Sequence, residues 1–235
     1  MPRRARMGAG GIVFHVLNRA SRRHPLFSED RDYEAFVHLL GQASRRASVR
    51  ILAYCVMPNH WHLVVWPRTD GELSSFMHWL TMTHAVRWHS CRRTAGLGPV
   101  YQGRFKAVPV QDDMHLLRVC RYVERNAVRA GLVQRAEDWH WGSLWQRVEN
   151  CHPVPLSAWP IPYPPEWPRL VNDPLPPAEL HEIRLSTNAG SPIGEPVWRT
   201  VTAAALSLPA VPRRRGRPPG EKKGTGAISL SPPRK

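Results

Sequence analysis

Up to about residue 150 the chain alternates apolar stretches of strand length with longer stretches of helical character. "GIVFHVLNRA" (11–20) follows glycines with β-branched and apolar residues and predicts a first strand. "SEDRDYEAFVHLLGQASRRA" (28–47) predicts a helix capped by Ser28, with acids in its first turn and arginines in its last, as the helix dipole favours. "VRILAYCVM" (49–57) and "HWHLVVW" (60–66) predict two strands joined at Pro58-Asn59, hence an antiparallel hairpin. A long helix is expected over 70–94, a further strand over 98–110, and a helix over 113–131 stopped by Gly131. This order predicts an α+β domain, a central antiparallel sheet with helices on one or both faces.

Composition changes near Asn150, which divides the chain into an expected domain over 1–150 and an extension over 151–235. Ten prolines lie between Pro153 and Pro177, too many for a helix or a central strand, so this stretch is expected to be an extended linker or wrapping arm. Two short helical candidates follow, "PAELHEIRL" (177–185) and "GEPVWRTVTAAALSL" (194–208). The basic end, "PRRRGRPPGEKKGTGAISLSPPRK", is expected to be disordered when unbound.

Charge changes the picture more than length does. The 235 residues carry a formal net charge of +15, which favours a polyanionic partner such as nucleic acid. No apolar run approaches the ~20 residues of a transmembrane helix, and the basic start leads into no signal-like apolar region, so no membrane role is expected. Cys55, Cys91, Cys120 and Cys151 are scattered without zinc or redox spacing, which suits a cytoplasmic address.

The candidate chemistry sits in "YCVMPNHWHLVVWP". Residues i and i+2 of a strand share a face, so His60 and His62 point the same way roughly 7 Å apart, with Trp61 and Leu63 opposite. Two neutral imidazoles make half of a metal site, although histidines of a half-buried strand also serve as packed residues bonded to carbonyls. In "RYVERNAVRAGLV", Tyr122 and Asn126 stand at i and i+4 on one helical face. A phenol, with its usual pKa of about 10, is a poor nucleophile at neutral pH. Beside a cation that polarises a phosphate it can attack phosphorus, and Asn126 offers a neutral oxygen as a third ligand. The alternative makes Tyr122 an ordinary boundary residue of an amphipathic helix.

"MPNHWHLV" followed by "YVERNAVRAGLV" closely resembles the single-tyrosine HUH transposases, whose paired histidines flank an apolar residue, here Trp61. More narrowly, the chain resembles the REP-associated tyrosine transposases, with further likeness in "HVLNRASRRHPLF", "YQGRFKAV", "RAEDWHWGSLW" and the stretch "IRLSTNAGSPIGEPVWRTVTAAALSL". Ala127 stands where that family often has proline. The resemblance implies a ferredoxin-like HUH nuclease fold, with His60, His62 and Asn126 as ligands of Mg2+ or Mn2+ and Tyr122 as nucleophile. It implies cleavage and rejoining of single-stranded, hairpin-forming DNA at palindromic repeats through a 5′-phosphotyrosine. A cytoplasmic, nucleoid-associated location is expected, and the sequence leaves monomer and homodimer open.

Arg19, Arg22, Arg23, Arg104, Lys106, Arg213, Arg214, Arg215 and Arg217 are the expected DNA contacts. Some of the 10 tryptophans can stack bases, and "RGRP" is either a short AT-hook core or part of a solvated tail. The extension is expected to strengthen DNA binding and steepen its salt dependence. Two other classes stay open: a non-catalytic nucleic-acid-binding regulator on the same scaffold, and a zinc-stabilised binding domain, which needs a fourth ligand such as Cys55.

Overall fold

The computed structural model describes residues 9–21 and 24–211. Four antiparallel strands, β1 (Val13–Arg19), β2 (Arg50–Met57), β3 (His60–Trp66) and β4 (Lys106–Val110), form one sheet in the order β2-β3-β1-β4. Helices α1 (Asp30–Ala47) and α2 (Glu72–Arg92) connect them, and α3 (Met114–Glu124) follows β4. The expected α+β class and antiparallel sheet are therefore present. Met57 pairs with His60, so the turn between β2 and β3 holds only Pro58 and Asn59. Pro58 O accepts the amides of Leu26 and Phe27, and Asn59 O accepts that of Ala20, which ties this turn to the end of β1.

Alternation along the strands sorts their side chains into two layers. Phe14, Val16, Tyr54, Val56, Trp61, Leu63 and Val65 pack with Phe36, Leu40, Phe76 and Leu80 of α1 and α2. Val13, Cys55, Met57, Val64, Val108 and Val110 pack with Leu116, Val119, Cys120 and Val123 of α3.

Three local expectations need correction. Ser28 does not cap α1: Glu29 holds that position without a side-chain bond, while the Ser28 amide donates to the Asp32 carboxylate at 2.9 Å. The strand expected over 98–110 is confined to β4, because Gly98 takes a φ of 107° and Tyr101 makes only an isolated bridge to Ala20. The helix expected over 113–131 breaks at Arg125 into α3 and α4 (Asn126–Arg129), and Gly131, at a φ of 69°, ends it.

Beyond residue 131 come the short helices α5 (Ser143–Val148) and α6 (Trp167–Asn172), then α7 (Pro177–Ala189) and α8 (Pro196–Ala205), the last two at the expected helical stretches. The proline-rich stretch lies back against β2. Leu156 bridges Ile51, and the Trp159 indole donates to Leu52 O at 2.9 Å. That carbonyl sits at an irregularity of the β2–β3 register between Ile51 and Ala53, where ladder pairing lapses. Trp167, Leu175, Ile183 and Ile193 complete the apolar layer under α3. Among the described residues, no helix is long and apolar enough to cross a membrane.

Candidate active site

The α3 face of the sheet is not apolar throughout. His15 on β1 and His62 on β3 replace two of its side chains and are buried at 0% and 4% exposure. These strands are the two central ones, so the pair sits mid-sheet, with His60 at the strand end beside the Pro58-Asn59 turn. The His60 and His62 ring centroids are 5.1 Å apart, closer than strand rise alone suggests, and the rings stand nearly perpendicular at 83°.

Both β3 imidazoles are held through Nδ1. His60 Nδ1 lies 2.7 Å from Asn59 Oδ1, and His62 Nδ1 lies 2.9 Å from His15 Nε2. Burial pushes all three rings towards the neutral form. His60 falls to about 4, chiefly by burial and then by the charges of Arg19 and Arg129. His15 falls to about 3 through burial and then Arg129. Burial, followed by its histidine neighbours and arginines, holds His62 well below its usual 6.5. Neutral imidazoles keep the lone pair that a metal needs.

Helix α3 brings Tyr122 over these rings. Its ring meets His62 edge-on at 5.7 Å and His15 at 5.8 Å, and it is 8% exposed. The adjoining Glu124 fixes the helix from its buried side, where its carboxylate accepts from the Trp167 indole at 2.6 Å and from the Ser143 hydroxyl. Arg121 and Arg125 donate to the carbonyls of Asp173 and Asn172. Segments after residue 140 thus aim the tyrosine. Asn126 opens α4, and its buried Nδ2 has no hydrogen-bond partner.

His60, His62, Tyr122 and Asn126 all line one cavity of about 670 Å³. Arg19, Arg104 and Lys106 line it as well. Arg22, Arg23, Arg213, Arg214, Arg215 and Arg217 lie outside the described residues. Cys55 shares the α3 side of the sheet but is fully buried, and burial pushes its thiol up to about 12, so it is no ready thiolate ligand. Among the described residues, no group of three or more His, Cys, Asp or Glu could hold a metal.

Residues 10–126 match the family model described as transposase IS200-like. Over this span the chain belongs to the IS200-like transposases. The match includes His60, His62 and Tyr122 and stops at Asn126. Among solved structures, that of a REP-associated tyrosine transposase bound to a REP hairpin is 21% identical and aligns over 69% of this chain and 94% of its own, with a TM-score of 0.51. It shares the fold. A protein from Deinococcus radiodurans R1 described as a transposase is 16% identical over 53% of this chain and 96% of its own, at a TM-score of 0.37. No curated protein matches the chain.

Other residues in or beside this site carried no signal strong enough to be singled out in the sequence. His15 carries no spacing signal, since its partner His62 lies 47 residues away and meets it only across the β1–β3 ladder. Arg129 lies with its guanidinium 4.2 Å from the Tyr122 ring centroid and donates to Tyr122 O at 3.2 Å. It was visible inside "RNAVRAG", one helical turn after Asn126. Arg184, Thr187 and Asn188 of α7 close the far wall of the cavity, and no local pattern marks them.

Proposed function

We propose that this transposase cleaves and rejoins single-stranded, hairpin-forming DNA through a covalent bond between Tyr122 and a 5′-phosphate, and that it belongs with the REP-associated enzymes. The observation that carries the reading is the convergence of His60, His62, Tyr122 and Asn126 on one cavity whose other walls bear Arg19, Arg104, Lys106, Arg129 and Arg184. A cavity lined by cations beside a phenol suits a phosphodiester.

The donor set fits a divalent cation. Two imidazoles have their Nδ1 atoms engaged, which turns Nε2 of each towards a ligand role, and Asn126 on the wall of the same cavity carries an amide oxygen. Mg2+ or Mn2+ held by His60, His62 and Asn126 would polarise the scissile phosphate and stabilise charge on its oxygens. The chain supplies the rest. Tyr122 oxygen forms a bond to phosphorus as the bond to the 3′ oxygen breaks, the phenol proton leaves to solvent, and the departing oxygen gains one. Arg129 steadies the phenol ring and offers its guanidinium to the phosphate as negative charge spreads over it. Because the phosphotyrosine keeps the phosphodiester bond energy, attack by a 3′-hydroxyl reverses the step without ATP.

The testing experiment is a nicking assay on labelled hairpin DNA with Mg2+, Mn2+ or chelator. Tyr122→Phe keeps the ring packed on His15 and His62, so hairpin binding persists while cleavage disappears. Cleavage at the native rate by this variant, or by native protein in excess chelator, rejects the reading.

A further inference from the structure

The two β3 histidines differ in what holds them. His60 faces Asn59 Oδ1, an oxygen that only accepts, so its Nδ1 carries the proton and Nε2 the lone pair. His62 faces another imidazole, His15 Nε2, at 2.9 Å, and either ring can be the donor. One direction leaves His62 Nε2 bare. The other puts a proton on Nε2 and disables it as a ligand.

Thr187 stands at the far end of this contact. Its Oγ1 lies 3.5 Å from His15 Nδ1, a long contact inside a buried site. If His15 Nδ1 holds the proton and donates to Thr187, His15 Nε2 is an acceptor and His62 must donate from Nδ1. The three groups then form one directed chain, from His62 to His15 to Thr187, that ends on helix α7.

We infer that His15 is a positioning residue that fixes the tautomer of His62, leaving Nε2 bare for the cation, with Thr187 fixing His15 in turn. The inference rests on the metal role proposed above for His62. Ligating histidines typically donate their other ring N–H to a neighbouring acceptor, and loss of such a partner typically costs 10–100-fold in metal affinity. Here the acceptor is itself an imidazole, set in place by a helix from the C-terminal part of the chain. The His15 and His62 rings lie within 18° of one plane with centroids 5.1 Å apart, the edge-to-edge arrangement that an in-plane N–H···N bond between imidazoles needs.

Nitrogen NMR of the full-length, metal-free protein labelled at histidine reads the tautomer without any need for activity. His62 should show a protonated Nδ1 and a bare Nε2, against the Nε2–H form that predominates for histidine in water. In His15→Leu, His62 should revert to the Nε2–H form, and affinity for Mn2+ alone, measured by titration, should fall about 10–100-fold. His15→Gln keeps an acceptor oxygen and should restore much of that affinity. A native His62 protonated on Nε2 overturns the inference even if His15→Leu proves unstable, and so does unchanged Mn2+ affinity in a folded His15→Leu. Failure of the metal reading looks different: His62→Ala would then bind Mn2+ as the native protein does, while the native tautomer would still be the one stated.

Discussion

The two faces of the sheet are built from the same strands yet do opposite work. Towards α1 and α2, β3 presents Trp61, Leu63 and Val65, all fully buried, with Trp61 packed on Phe36 and its indole donating to Tyr101 at 3.2 Å. Towards α3 it presents His60 and His62, beside a cavity walled by cations. One face is a closed apolar core; the other sets neutral imidazoles beside a cavity lined by arginines. Alternation lets one seven-residue strand carry the stability of one layer and the chemistry of the other.

Neighbouring substitutions should separate the two roles. His62→Ala should reduce metal-stimulated cleavage by at least about a thousandfold, the several kcal/mol a bound cation supplies, while the fold persists. Trp61→Ala, one residue away, should cost about 3–5 kcal/mol of stability in denaturant unfolding. A His62→Ala protein that unfolds as readily as Trp61→Ala would erase the distinction. On the open face, Arg129→Gln should slow cleavage by about a hundredfold at saturating hairpin, with little change in hairpin Kd. Single-turnover rates and binding titrations read the two quantities separately.

Acid should strain both faces. His15, His60, His62 on one side and His84 on the other are all held below their usual 6.5 by burial. Below pH 6.5 the unfolded chain takes up protons that the folded one refuses, so the histidine contribution to stability should fall from pH 6.5 to about 3, where His15 itself is protonated in the folded protein. Each histidine contributes at most about 1.4 kcal/mol per pH unit. Glu124 opposes this, since burial raises its carboxyl and the folded state gains protons first. Urea unfolding at several pH values gives the net slope, which should be positive with pH, and His84→Gln should flatten it.

The mildest response should come from the end of the extension. Truncation after Asn150 removes Val154 and Trp167, both fully buried, and should unfold the domain rather than merely weaken DNA binding. Removing residues 212–235 spares the described core. Such a chain should melt as the native one does, and its log-log salt slope for hairpin binding should become shallower by about 0.7 for each phosphate that the tail no longer neutralises.

Much of this was legible locally. The Pro58-Asn59 turn, the strand–helix order up to α3 and the shared face of His60 and His62 follow from short-range pattern. The break at Arg125 was not legible, because helical residues continue on both sides of it and the partners of Arg121 and Arg125 come from carbonyls at Asp173 and Asn172. His15 and Thr187 escaped notice because their contact spans 172 residues of sequence. Only the sheet order and the return of the proline-rich stretch bring them to His62. Local rules predict elements; they do not tell which distant side chain completes a site.

The chemistry proposed for this transposase stands on a covalent bond between Tyr122 and DNA. Native protein incubated with hairpin DNA and Mn2+ can be digested with protease and nuclease and its peptides mapped by mass spectrometry. A nucleotide adduct is expected on the peptide carrying Tyr122, fragmenting at that residue and absent from Tyr122→Phe. Cleaved DNA with no adduct on Tyr122, or an adduct on another residue, would contradict the mechanism.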